Sequence, residues 1–182
     1  PRHFLLSIPL TLLERLPESL RRYVIWGVES GAALPAVKAF GDRWLSHTHR
    51  QLEVKKPYGL LFLPDKVDSS LLHRSVYAFL SPKPLTASKN FHILKLRERR
   101  QASFLALWFN SVFFLILLTA AGRRISGRWT RLLEEDYLRL PAPPLDRVEE
   151  SFLEDASRLV ETLSAEALPP LRRQLEDRSQ WR

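Results

Sequence analysis

The chain contains no cysteine and no methionine, and it has only six glycines among 182 residues. Without cysteine it can form no disulfide framework, no thiolate metal site and no cysteine nucleophile, which favours a cytoplasmic location. Because methionine is absent even at the first position, we expect the sequence to be a fragment or a processed piece of a longer protein. Asparagine and glutamine are also scarce beside arginine, leucine and proline, a balance compatible with a thermophilic source.

Charge is absent from one long stretch, Ala102–Ala121, in which only Ser103, Asn110, Ser111 and Thr119 interrupt the apolar residues. As a helix this stretch would be about 30 Å long and must leave water, either in a protein core or in a bilayer. The central Asn110 and Ser111 and the basic residues on both flanks favour a buried helix of a soluble domain. Asn110 and Ser111 then need hydrogen-bond partners, which predicts that they kink or cap the helix or bind a neighbouring loop.

Basic residues exceed acidic ones, and the excess is uneven. The formal net charge is +8, yet residues 43–128 carry 15 basic and only 4 acidic side chains, whereas residues 148–182 carry 5 and 8. A basic surface attracts phosphate and releases its counterions, so this distribution indicates a polyanionic partner for the middle of the chain. An arginine-rich surface without any such partner is the alternative interpretation.

The local patterns predict an α+β fold. We expect a small, mostly antiparallel sheet packed on the long apolar helix, followed by a C-terminal helical hairpin. The predicted strands are Tyr23–Val28, Tyr58–Pro64, Arg74–Leu80 and Asn90–Leu96. The predicted helices are Lys38–Leu52, the apolar stretch, Thr130–Arg139 and two amphipathic segments after residue 145, and Gly122–Arg128 is predicted to be a loop.

The order of several short motifs resembles the target-recognition region of adenine-specific DNA methyltransferases from restriction–modification and related phage-defence systems. In that region an Asn-Phe turn enters a strand, a long apolar helix contains Leu-Asn-Ser, and a Gly-bearing loop, a short helix and a Leu-Pro-hydrophobic-Pro exit follow. The corresponding residues here are Lys89-Asn90-Phe91-His92, Leu107-Trp108-Phe109-Asn110-Ser111, the Gly122–Gly127 stretch and Leu138-Arg139-Leu140-Pro141-Ala142-Pro143. The resemblance covers roughly residues 8–163.

The resemblance implies a DNA-binding target-recognition domain over residues 1–144 and a C-terminal helical segment over 145–182. It further implies double-stranded DNA as partner, a catalytic methyltransferase domain in the same polypeptide that binds S-adenosylmethionine, and an associated restriction or translocation subunit. This chain itself lacks the Gly-rich loop and the Asn-Pro-Pro-Tyr type motif that methyl transfer needs. We therefore predict no catalytic residue, no cofactor in this chain and no membrane partner.

Twelve residues are predicted to contact DNA. Arginine and lysine suit phosphate oxygens, and arginine and asparagine can also bind base edges. The predicted phosphate contacts are Arg43, Lys55, Lys56, Lys66, Arg74, Lys83, Lys89, Arg123, Arg124 and Arg128. Arg123, Arg124 and Asn90 are the first candidates for base edges, and Trp44 or Tyr77 for stacking beside an extruded base.

Other interpretations of the sequence stay open. His47 and His49 form the only closely spaced histidine pair, but no third ligand lies near them, so we predict no metal site. A structural or protein-interaction module would use the apolar helix and the C-terminal helices to hold a larger assembly. A membrane-anchored protein would use residues 102–121 as its span.

Overall fold

The structure, a computed structural model, describes residues 5–68, 76–121, 123–126 and 129–176. It has the predicted α+β fold, and the chain divides into two compact units, Pro1–Lys56 and Pro57–Arg182. Each unit is described by itself below.

Only helices occur in the described part of the first unit. They are a 3-10 helix at Leu10–Arg15, α1 (Glu18–Glu29), α2 (Leu34–Phe40), a 3-10 turn at Gly41–Arg43 and α3 (Trp44–Val54). The predicted helix at 38–52 is therefore two helices separated by a turn.

The predicted strand Tyr23–Val28 is wrong, because these residues lie inside α1. Their aromatic and β-branched composition favours a strand, but the signals on both sides favour a helix. Pro17 precedes the first turn, where Glu18 faces the positive end of the helix dipole. Gly31, with φ of 77°, follows the C-cap and allows the left-handed conformation that ends a helix.

The second unit contains two three-stranded antiparallel sheets. The first sheet has the order β3-β1-β4 and the second has the order β2-β6-β5. The strands are β1 (Gly59–Pro64), β2 (Lys66–Asp68), β3 (Phe79–Leu85), β4 (Phe91–Leu94), β5 (Arg123–Ser126) and β6 (Trp129–Arg131). The strands predicted at 58–64 and 90–96 are confirmed as β1 and β4.

Three predictions in this unit are corrected by the strand bounds. The strand expected at 74–80 begins only at Phe79, and residues 69–75 lie outside the described part. The expected loop at 122–128 contains β5, which pairs with β6 as a hairpin. The expected helix at 130–139 is shorter: α6 spans Glu134–Arg139, and its predicted first residues belong to β6. Short strands such as β5 and β6 carry too little periodicity to be recognised locally.

The apolar stretch forms two helices rather than the single long helix that was predicted. They are α4 (Arg99–Phe109) and α5 (Val112–Ala121). Within the described residues no single helix has both the length and the apolar character to cross a membrane; only this pair, bent by 67° at its break, meets those criteria together.

Asn110 explains the break between the two helices. Its side-chain Oδ1 accepts hydrogen bonds from the backbone N–H groups of Tyr77 (2.6 Å) and Ala78 (3.0 Å), and its Nδ2 donates to the carbonyls of Ala78 (3.1 Å) and Ala106 (2.8 Å). Ser111 caps the new helix, because its Oγ accepts from the N–H of Phe114 at 3.2 Å. The predicted need of Asn110 for polar partners is thus confirmed, and both a kink and a bond to a neighbouring segment satisfy it.

The core of the second unit lies where β1, α4 and α5 meet. Leu61, Leu63, Ala102 and Phe114 are buried there. The ring of Phe114 contacts those of Phe109 and Tyr77, with centroids 4.8 and 5.6 Å apart. The core therefore buries one side of each apolar helix.

Two further helices, α7 (Glu150–Ser164) and α8 (Leu171–Glu176), follow α6. Leu153 and Ala156 of α7 are buried, and α7 packs on α4. The predicted boundary at residue 144 stays a prediction, since α7 belongs to the same compact unit as the sheets.

Candidate nucleic-acid interface

The second sheet places three basic residues side by side. In its strand register Lys66 of β2 is opposite Arg131 of β6, and Arg131 is in turn opposite Arg123 of β5. We call Lys66, Arg131 and Arg123 the basic row. Lys66 and Arg131 are exposed.

Like charges directly opposite each other destabilise a sheet, so the basic row costs stability unless an anion lies against it. Among the described residues Lys66 has no ion pair, and the Arg131 guanidinium pairs with the Asp65 carboxylate. The basic row therefore has the charge and spacing of a surface for phosphate groups.

The neighbouring register row of this sheet contains Val67, Thr130 and Arg124. Val67 and Thr130 are buried, as expected for residues that alternate with an exposed row along a strand. Arg123 and Arg124 were both predicted to contact DNA, but they occupy different register rows of the sheet.

Asp65 links the basic row to the interior. It is 5% exposed and lies between β1 and β2. Its Oδ1 is 3.3 Å from the Arg131 Nε and 3.7 Å from the His92 Nε2. The His92 Nε2 lies 2.8 Å from the Leu132 carbonyl, which can only accept, so this nitrogen carries a proton. The result is a buried carboxylate with two hydrogen-bond donors around it.

The backbone of Asp65 joins the two sheets. Its N–H donates to the carbonyl of Asn90 at 2.8 Å, and its own carbonyl accepts from the N–H of Leu132 at 2.8 Å. Asn90 is exposed in the turn that enters β4, where its N–H contacts the Ser88 Oγ at 3.3 Å. One residue thus holds the Asn90 turn beside the start of β2 and the end of β6.

Tyr137 completes the polar network. Its hydroxyl donates to the Pro64 carbonyl at 2.8 Å and meets the Tyr77 hydroxyl, while its ring lies against that of His92, with centroids 5.3 Å apart. Burial raises the pKa of the Tyr137 phenol well above its ordinary value, and the neighbouring Tyr77 and Asp65 add to the effect. A phenol held neutral in this way donates a hydrogen bond and does not act as a base.

We expect Tyr137→Phe to cost about 1 to 2 kcal/mol of unfolding free energy at pH 7, because the Pro64 carbonyl loses its donor. The pH dependence has a definite sign. Tyr137 ionises near pH 10 in the unfolded chain but stays neutral in the folded one, so its contribution is complete below pH 10 and falls as the pH rises. Urea unfolding between pH 7 and pH 11 should therefore show a steeper alkaline loss in the wild type than in Tyr137→Phe.

The matched control is Tyr23→Phe, which removes an exposed phenol hydroxyl from α1. It should change the unfolding free energy at pH 7 by less than about 0.5 kcal/mol. Equal alkaline slopes for the wild type and Tyr137→Phe would contradict the raised pKa.

The structure brings some of the predicted contact residues together and separates others. The backbone of Asn90 is hydrogen-bonded to Asp65, Lys66 follows Asp65 in the chain, and Arg123 belongs to the same sheet as Lys66. Lys89 is exposed beside Asn90. Lys83 lies on β3, at the opposite edge of the first sheet from β4.

Several predicted contacts lie elsewhere. Arg43, Trp44, Lys55 and Lys56 belong to the first unit. Trp44 is half-buried and lines a small cavity of about 140 Å³. Lys56 is bound to Glu53 at 2.8 Å.

The structure corrects one prediction and leaves two residues untested. Tyr77 is 1% exposed, so it is a core residue and offers no surface for stacking on an extruded base. Arg74 and Arg128 lie outside the described residues.

The sequence prediction missed Arg131. It was overlooked because a helix was predicted at its position, whereas it is central to the basic row. The signal that could have revealed it is strand alternation, because Thr130 is buried and its neighbour Arg131 is exposed on the other face of the sheet. His92 and Tyr137 were missed as well, since their partners are distant in the sequence.

Within the part of the chain that the structure describes, no group of three histidine, aspartate or glutamate side chains is arranged to hold a metal ion. The chain has no significant match among protein-family models, curated proteins or solved structures. In general terms it is an α+β protein in which a small sheet has basic residues opposite one another on three neighbouring strands.

Proposed function

We propose that this chain binds double-stranded DNA as the target-recognition part of an adenine-specific methyltransferase. The catalytic domain, which would bind S-adenosylmethionine, would precede it in the same polypeptide. The observation that carries the proposal is the basic row, because basic residues opposite one another in three neighbouring strands favour an external anion, and, among the described side chains of the row, Asp65 pairs only with the central Arg131.

The order of the elements supports the same proposal. The Asn90–Phe91 turn leads into β4, the apolar helices meet at Asn110 and Ser111, and the Arg-rich stretch is followed by the short helix α6. This is the sequence of elements that the methyltransferase resemblance implies, although the long helix is broken and the expected loop is a hairpin.

In this proposal the basic row binds phosphate oxygens and fixes the orientation of the duplex. Lys89 adds a further phosphate contact. The exposed Asn90 would bind a base edge, because an amide can pair with adenine through two hydrogen bonds. Arg43, Lys55, Lys56 and Lys83 stay predicted contacts outside this surface.

The test is to measure binding of a DNA duplex to the full chain by fluorescence anisotropy at a series of salt concentrations. Four phosphate contacts, three from the basic row and one from Lys89, predict that log K falls with log[salt] with a slope of roughly −3.6. Selection from a random duplex pool should then enrich a defined sequence. A flat salt response would overturn the proposal, and a salt response without enrichment would reduce it to non-specific binding.

A protein-interaction module is the second candidate, and one observation favours it. Val112, Phe113 and Ile116 of α5 are 57%, 74% and 61% exposed, so an apolar face of this helix is uncovered. Contiguous apolar surface of this kind marks contacts with other proteins.

The double variant Phe113→Ser/Ile116→Ser distinguishes the two candidates. If the chain is a DNA-binding module, duplex affinity should stay within about twofold of the wild type, because neither side chain belongs to the basic row. The matched control, Leu138→Ser/Phe152→Ser, removes exposed apolar side chains from α6 and α7. Light scattering measures whether copies of the chain associate. Loss of this association in the α5 variant but not in its control, together with weak DNA binding by the wild type, would favour the interaction module.

A further inference from the structure

A cleft in the first unit has features that the basic row does not explain. Its volume is about 740 Å³. Leu10 and Thr11 of the N-terminal 3-10 helix line one side, and Phe40, Arg43 and His47 line the other. The cleft therefore combines an apolar wall with basic side chains.

The basic side chains share one face of α3. Arg43 directly precedes the helix, and His47 and Arg50 follow at the fourth and seventh positions, a spacing that places all three on the same side. Arg50 also lines the cleft. The three side chains therefore lie in a line on the face of α3 that borders the cleft.

The turn before α3 brings an aromatic ring to this face. Gly41 has φ of 55°, a conformation that other residues rarely adopt, and it turns the chain between α2 and α3. As a result the ring of Phe40 stacks on that of His47, with centroids 3.6 Å apart and planes 13° from parallel. The paired rings present a flat surface beside the two arginines.

The opposite wall is held in place by a hydrogen bond. The Ser7 Oγ lies 3.1 Å from the His49 Nδ1, so the segment that leads into the 3-10 helix is tied to α3. Both walls of the cleft belong to the first unit.

The charge in the cleft is not balanced by the described residues. Arg43 and Arg50 are exposed, and neither guanidinium lies within ion-pair distance of a described carboxylate. The acidic lining residue, Glu53, is bound to Lys56 at 2.8 Å, and this hydrogen bond lowers the pKa of its carboxyl group. Glu53 is thus ionised and already paired, and the arginines are left to face the cleft.

We propose that this cleft binds a nucleotide, with the base against the Phe40–His47 pair and the phosphate between Arg43 and Arg50. Aromatic rings stack on any base, and the planar guanidinium matches two phosphate oxygens at once. The nucleotide is either a free mononucleotide or a unit of an unpaired DNA strand, since the two share this chemistry. The proposal does not rest on duplex binding by the second sheet.

The test is isothermal titration of the full chain with three probes: deoxyadenosine monophosphate, inorganic phosphate and a single-stranded oligothymidylate of about ten nucleotides. Arg43→Ala/Arg50→Ala should weaken binding of the nucleotide and of the oligonucleotide by about tenfold or more. The matched control is Arg15→Ala/Arg21→Ala, which removes the same charge from exposed positions of the same unit outside the cleft. It should weaken binding by no more than about twofold.

Phe40→Leu tests the ring separately, because it keeps an apolar side chain but removes the stacking surface. It should weaken deoxyadenosine monophosphate by about fivefold or more and leave inorganic phosphate unchanged. A higher affinity for the oligonucleotide than for the mononucleotide would identify a strand as the ligand. Equal affinities for the two probes would identify the free nucleotide.

Two results would overturn the inference: no saturable binding of either nucleotide probe, or equal losses in the cleft variant and its control. The arginines are exposed, so their replacement should leave the thermal unfolding midpoint within a few degrees of the wild type. Loss of duplex binding in variants of the basic row would leave these titrations unchanged, which separates this inference from the proposed function.

Discussion

Replacing Asn110 with leucine should lower the unfolding free energy of the second unit by about 4 kcal/mol. The substitution leaves the N–H groups of Tyr77 and Ala78 and the carbonyl of Ala78 without their partner. Both residues are at least 97% buried, so water cannot replace the bonds, and each orphaned group costs about 1 to 3 kcal/mol. Urea unfolding followed by circular dichroism measures the loss.

Ser111→Ala is the matched control for this substitution. It removes a polar side chain from the same break but loses only the cap of α5, which is worth about 1 kcal/mol. If Asn110→Leu and Ser111→Ala destabilised the protein equally, the break would be set by the helix ends and not by the bonds to residues 77 and 78. Retained stability in the leucine variant would contradict the prediction, because it would mean that the Asn110 hydrogen bonds do not stabilise the second unit.

The second large effect is expected for Lys66→Ala/Arg123→Ala in duplex binding. The two substitutions remove the outer members of the basic row, and each lost charge-assisted contact should cost about 1 to 1.5 kcal/mol. Duplex affinity should therefore fall by about 30- to 150-fold. The slope of log K against log[salt] should become shallower by roughly 1.8, because two phosphate contacts are gone. Arg131 is left intact, since it is bound to the buried Asp65.

Arg139→Ala/Arg158→Ala provides the control of equal charge. These arginines lie on α6 and α7 and pair with carboxylates of their own helices, Glu135 and Asp155. Their removal should change duplex affinity by less than about threefold at moderate salt. Equal losses in the two double variants would mean that net charge attracts DNA and that the basic row has no special part.

Elements with a clear local sequence pattern were predicted correctly. β1 and β4 are short apolar runs bounded by turns, and α7 has a regular amphipathic spacing. The α+β class follows from these elements. In each case neighbours along the chain are sufficient to specify the structure.

The predictions are wrong where contacts between residues distant in the sequence determine the structure, or where local signals conflict. Nothing near Asn110 in sequence indicates that it binds residues 77 and 78, so a kink at this residue was one of several alternatives and its partners were not predicted. For Tyr23–Val28 two local signals conflict: strand-forming residues fill a segment that Pro17 and Gly31 bound as a helix. The boundary signals outweigh the strand-forming composition in this segment.

The candidate site was predicted by residue type but not by arrangement. Lys66, Asn90 and Arg123 were selected for charge or hydrogen bonding, and the structure places them around one sheet. Arg131 could not be selected with them, because membership of the basic row depends on strand register. Register is fixed by pairing between strands that are more than 50 residues apart in the chain, such as β2 and β6.

Asp65 has a mechanical consequence for any ligand of this surface. Its N–H and its carbonyl are the two ends of a backbone linkage from the Asn90 turn to the end of β6. A force applied at that turn is transmitted through one rigid residue to the strand that carries Arg131. We therefore expect the turn and the arginine to move together when a ligand binds.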